Sequence, residues 1–211
     1  MKRFILIPFF FTATLCIKAQ RYSDIGLLLG SSYYMGQINP TRHFYNPSLA
    51  FGGLLRYNFN KRYALRISGF YTNLKGSDDD FDRINPDRPN RSFSAPVMDL
   101  AAQVEFNFFP YITGEKKWMY SPYLTGGLGF ASISGMPQFM IPFGLGFKIN
   151  ITDRLSSGLE WSFRKTFTDK IDTVESPLGN TLINNNDWYS FFGIFITYKF
   201  VKFAADCPAY N

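Results

Sequence analysis

Apolar and polar residues alternate with a period of two along most of the chain. Residues 49–59 set Leu49, Phe51, Gly53, Leu55, Tyr57 and Phe59 against Ala50, Gly52, Leu54, Arg56 and Asn58. Residues 63–71 set Tyr63, Leu65, Ile67, Gly69 and Tyr71 against Ala64, Arg66, Ser68 and Phe70. The segments 99–108, 139–149, 154–164 and 188–200 alternate in the same way. Two more, 24–35 and 120–131, are less clean because both of their faces are largely apolar or small. A two-residue period predicts strands with two different faces. The expected count is about eight, an even number, as bacterial membrane barrels require.

The chemistry of the two faces decides where they point. One face carries Arg56, Arg66, Glu105, Lys148, Glu160 and Arg164 among small residues. The other is Leu, Ile, Val and Phe, with Tyr63, Trp188 and Tyr198 near strand ends, where an interfacial aromatic girdle belongs. A soluble sandwich would bury its apolar face and show the charges. A polar interior with an apolar exterior instead predicts an all-β, antiparallel transmembrane β-barrel. A barrel of this size is narrow and filled by side chains. Arg56, Arg66, Glu105, Glu160 and Arg164 are therefore expected to pair inside it as a stabilising charge network rather than to line a pore.

Connection lengths predict the orientation. Those after the second, fourth and sixth strands are compact: Asn60-Lys61, 110–117 and 150–153. Those after the first, third, fifth and seventh are read as mostly longer: GQINPTRHFYNPS, KGSDDDFDRINPDRPNRSFSAP, SISGMPQ and KTFTDKIDTVESPLGNTLINNN. Short turns belong in the periplasm and long loops outside. The barrel is expected over 20–200 in the outer membrane, with both chain ends and a tail, 201–211, in the periplasm.

The first residues change the cysteine count. Lys2 and Arg3 precede an apolar run, 4–15, and Ala19 is a small residue at a cleavage position, so 1–19 reads as a signal peptide. Pro8 breaks the run, which is also short for a membrane helix. Leu15 stands where a lipobox before Cys16 would need a small residue. Cleavage would remove Cys16 and leave Cys207 as a single thiol, either free or paired with another molecule. It would also lower the formal charge of +6 by three. The remainder is too mild to argue for nucleic acid.

Composition agrees with a barrel, at 19% aromatic and 18% charged residues. Candidate chemistry is sparse. His43 is the one histidine and reads as a solvated loop residue without an acid–base partner. No zinc pattern is present. SDDDFD (77–82) lacks the glycine and closing glutamate of an EF-hand loop, and TDKIDTVE (168–175) is a second acidic stretch without an assigned role. GGLG and GLGFK lack the phosphate-loop pattern and fall in strands. The expectation is a non-enzymatic protein without catalytic residues, metal, cofactor or small-molecule substrate.

The order of several segments carries a resemblance. These are YYMGQINP (33–40), LRYNFNKRYALR (55–66), VEFNFFPY (104–111), SPYLTGGLG (121–129), PFGLGFK (142–148), LEWSFRKTFTDKID (159–172), NNDWYSFFGIFITYKF (185–200) and the closing CPAY (207–210). In these segments the chain resembles the PorG family, small outer-membrane barrels of the type IX secretion system of Bacteroidetes. The resemblance implies a structural or adaptor role beside the periplasmic ring built from the lipoprotein PorK and from PorN. It also makes Cys207, Pro208 and Tyr210 candidates for contact with a periplasmic partner, through an intermolecular disulfide or without one. The alternative is an OmpX/OmpA-like surface barrel acting in adhesion through its extracellular loops.

Overall fold

The structure, a computed structural model, describes residues 23–35, 43–77, 92–167 and 188–200. The expected signal peptide (1–19) and tail (201–211) lie outside the described residues. Eight strands follow in order: β1 (Ser23–Met35), β2 (Ser48–Asn58), β3 (Tyr63–Ser77), β4 (Ser92–Asn107), β5 (Tyr120–Ile133), β6 (Met136–Asn150), β7 (Leu155–Thr166) and β8 (Trp188–Lys199). Each pairs antiparallel with the next, and β8 returns to β1 to close the barrel, with Leu28 opposite Phe195. Closure leaves the wall without an open edge. Among the described residues no helix is long and apolar enough to cross a membrane, so any crossing is made by strands.

The expected faces hold. Leu27, Leu49, Leu100, Leu128, Phe130 and Leu145 are exposed on the outside, whereas Arg56, Arg66, Glu105, Lys148 and Glu160 are buried. A wall that shows leucine and phenylalanine outward and arginine inward suits lipid.

The turns at one end are fixed by local side-chain chemistry. The Asn60 side-chain oxygen accepts the amides of Arg62 and Tyr63 between β2 and β3. The Thr152 hydroxyl accepts those of Arg154 and Leu155 between β6 and β7. Both are side-chain mimics of a backbone turn.

Three details differ from the sequence reading. The connection between β5 and β6 is not long: Ser134 and Gly135, both at positive φ (49° and 85°), join the strands as a tight hairpin turn. β3 and β4 also run past their expected ends at 71 and 99, so that Gly76 faces Phe93 across a ribbon that rises beyond the apolar wall. In that ribbon Leu74, Ala95 and Val97 point inward while Lys75 and Ser94 point outward. The faces exchange character there, as they would where strands leave lipid for water. Finally, the interior is not polar throughout. Tyr34, Leu74, Val97, Ile133 and Met140 form an apolar filling in the half of the barrel away from the short turns.

Candidate functional site

Among the described residues, inward alternation on six strands brings eight fully buried charges into the lumen. Four are cations (Arg56, Arg66, Lys148, Arg164) and four are anions (Asp24, Asp99, Glu105, Glu160), so the interior is balanced. Glu105 on β4 is the hub. Its carboxylate takes Arg56 at 2.8 Å and Arg66 at 3.3 Å, and it also accepts from Lys148. Arg66 reaches Glu160 with both terminal nitrogens and donates to Gln103 Oε1 at 2.7 Å. The Tyr123 hydroxyl donates to Glu160 at 2.7 Å. Ions taken out of water are tolerable only when paired and hydrogen-bonded in this way.

Of the five residues expected in the network, four form this cluster. Arg164 belongs to a second one, where its Nε donates to Asp99 at 3.2 Å and its guanidinium lies over the rings of Phe70 and Phe191. The Tyr189 hydroxyl donates to the same carboxylate at 2.8 Å. Asp24 and Asp99 are the buried charges that the sequence reading did not single out; the strand of Asp24 is apolar on both faces. Asp24 accepts from Asn58 and from Thr113, each at 3.1 Å.

Thr113 belongs to a plug. The connection between β4 and β5, expected over 110–117 to be merely compact, runs over 108–119 and folds across the mouth of the barrel at the short-turn end. Tyr111 and Thr113 are fully buried beneath it. Lys199 donates to the Thr113 carbonyl at 2.9 Å, and the Asn150 amide donates to the carbonyls of Ile112 and Glu115. Tyr111 donates its backbone amide to Lys61 at 2.8 Å. Burial raises the Tyr111 phenol above its ordinary pKa. Gly114 makes the plug possible: its φ is +89°, and a Cβ there would stand 2.2 Å from the Asp153 carbonyl oxygen.

Around the plug the rim is basic. Lys61, Arg62, Lys116 and Lys117 are exposed, and Arg154 and Lys199 are half-buried, against Glu115 and Asp153. Lys61 pairs with Glu115 at 3.0 Å. Phe109 stacks on Trp118, and Tyr120 stacks on Phe147, at the same end. Aromatic rings beside cations mark the boundary between lipid and water.

The remaining candidates resolve as follows. His43 is exposed, as a loop histidine was expected to be, and it rests on two aromatic side chains. Its Nδ1 lies 3.4 Å from the Tyr33 hydroxyl, and its ring meets Trp161 edge-on. Among the described residues no carboxylate lies against it. Cys207, Pro208 and Tyr210 lie outside the described residues, as does most of each acidic stretch. Among the described residues no group of three or more His, Cys, Asp or Glu could hold a metal ion.

Comparisons with known proteins agree on the fold. A family model described as a domain of unknown function (DUF6089) matches residues 2–209. The comparison with curated proteins found no match. Neisserial surface protein A is similar with a TM-score of 0.52 and 13% identity, over 84% of this chain and 97% of that one. OprG from Pseudomonas aeruginosa gives 0.49 and 7%, over 83% and 95%. Ail, the attachment invasion locus protein of Yersinia pestis, gives 0.47 and 12%, over 83% and 96%. At these identities the likeness is one of fold: a closed antiparallel eight-stranded barrel of the outer-membrane kind.

Proposed function

The chain belongs to the DUF6089 family, and from that premise we propose that it is a structural component of the type IX protein secretion machinery in the outer membrane of Bacteroidetes. In this role it resembles PorG and holds or contacts the periplasmic PorK/PorN ring from its short-turn end. The observation that carries the reading is the filled lumen. Apolar packing, a neutral ion network and a folded plug follow one another along the barrel, so the protein works through its surfaces rather than as a conduit. The ordered segment resemblance supplies the machine. The short-turn end supplies a firm, basic face turned towards the periplasm, where complementary charge would speed and orient docking of an acidic partner. The barrel residues 20–200 would be the membrane part, and 201–211, with Cys207, would extend towards the ring.

A second reading is favoured by the ribbon formed by β3 and β4. Among the described residues, 73–77 and 92–96 are register partners of each other and of no other strand. Such a ribbon suits a surface barrel that meets partners through its loops. Complementation separates the two readings. In cells lacking the protein, a variant trimmed across 78–91 and 168–187 should restore export of proteins with a C-terminal sorting domain. A variant lacking 203–211 should not. The reverse pattern would remove the secretion reading and favour the surface barrel.

A further inference from the structure

One part of the outer wall is not made by strands alone. Tyr33 on β1 and Ser190 on β8 face outward and are register partners, yet neither is exposed. They are covered by His43 and Phe44, near the end of the connection between β1 and β2, whose rings lie against side chains of β1, β8 and β7. Phe44 packs against Tyr33 with ring centres 5.0 Å apart, against Phe192 at 5.4 Å and against Trp161 at 6.3 Å. His43 lies beside them on Tyr33 and Trp161. Phe44 and Asn46 both take left-handed backbone conformations, with φ of 60° and 45°. Non-glycine residues adopt these where surrounding contacts hold them.

The polar atoms beneath this cover satisfy one another. Trp161 Nε1 donates towards the Tyr33 hydroxyl at 3.2 Å and the Ser190 hydroxyl at 3.1 Å. The Ser190 hydroxyl donates to the Ser162 carbonyl at 3.2 Å. Such groups on a lipid-facing wall are costly unless they are paired and shielded. The level of the cluster lies inside the apolar belt. Phe163, Trp188 and Met35 stand beyond it in their own strands, towards the end of the barrel away from the short turns.

We propose that residues 43–46 form a lipid-embedded clasp. Phe44 completes the apolar belt over Tyr33 and Ser190, and His43 closes the hydrogen-bonded cluster beside it. The clasp pins the first loop to the β7–β8 side of the barrel. It concerns the wall of the barrel and is independent of the secretion reading.

Site-directed spin labelling in lipid vesicles tests this. Phe44→Cys is labelled on a Cys16→Ser, Cys207→Ser background, beside Leu145→Cys as the lipid standard and Lys116→Cys as the aqueous one. The proposal expects the label at 44 to collide with dissolved oxygen, as at 145, and to be shielded from a water-soluble nickel chelate. Nickel access like that at 116 overturns it. A second measurement does not depend on the label. With Trp118→Phe and Trp188→Phe, emission comes from Trp161 alone, and adding Phe44→Ala should increase its quenching by brominated lipid. Unchanged quenching in protein that still shows the heat-modifiable migration of a folded barrel overturns the clasp.

Discussion

Arg66 on β3 reaches across the lumen to Glu160 on β7, the strand diametrically opposite in the closed order, and grips its carboxylate with both terminal nitrogens, one at 3.0 Å. This pair ties two walls that share no backbone hydrogen bond. Removing one partner leaves the buried network one charge out of balance, with Glu105 already shared among three cations. Glu160→Gln is therefore expected to cost about 3–5 kcal/mol. The double replacement Arg66→Met, Glu160→Leu should recover most of that loss, because an apolar pair of similar volume needs no desolvated charge. Urea unfolding of the barrel in vesicles measures both. An additive double variant would contradict the coupling.

The plug depends on one backbone conformation. Gly114→Ala places a Cβ against the Asp153 carbonyl at a φ that side chains avoid, at an expected cost of about 1–3 kcal/mol. The loss should stay local. Amide exchange should rise across 108–119 and leave β3 and β7 protected. The stack of Phe109 on Trp118 gives a second readout, since opening the plug would change the Trp118 emission.

The apolar outside carries the membrane assignment. Leu145 sits mid-strand on β6 and is half exposed to the surroundings of the barrel. Leu145→Arg is expected to destabilise the protein in vesicles by about 2–4 kcal/mol, the penalty for a cation facing lipid near the midplane. The same change in detergent, where the wall can be wetted, should cost less. Equal costs in both would argue against immersion at that depth.

Alternation, clean in six segments and weaker in 24–35 and 120–131, outlined the strands and put Arg56, Arg66, Glu105 and Glu160 on one inward face. Two physical features hid the rest. Where β3 and β4 rise out of the belt, outward Lys75 and Ser94 oppose inward Leu74 and Ala95, so the hydrophobic phase inverts and the strands read as loop. In β1, Asp24 begins a run whose two faces are both apolar, since Leu28 fills the lumen while Leu27 and Leu29 face outward. The plug was also illegible. It is fixed by a tertiary hydrogen bond to Asp24 and others from Asn150 and Lys199, and local sequence carries no sign of those. Of the partners of His43, Tyr33 is close in the chain, but Trp161 comes from the distant β7, beyond any spacing rule.

The thiol beyond the barrel offers a covalent test of partnership. On the secretion reading, native membranes run without reductant should show Cys207 in a larger species that collapses on reduction. Cys207→Ser should abolish that species. Unchanged migration and unchanged export in the variant would remove the disulfide while leaving a non-covalent contact intact.

Affinity purification of the native protein from solubilised outer membranes, with and without reductant, tests the central claim most directly. A sealed barrel that serves the secretion machine should bring down the PorK and PorN ring proteins. Recovery of the barrel with lipid and surface ligands, but without ring proteins under either condition, would contradict it.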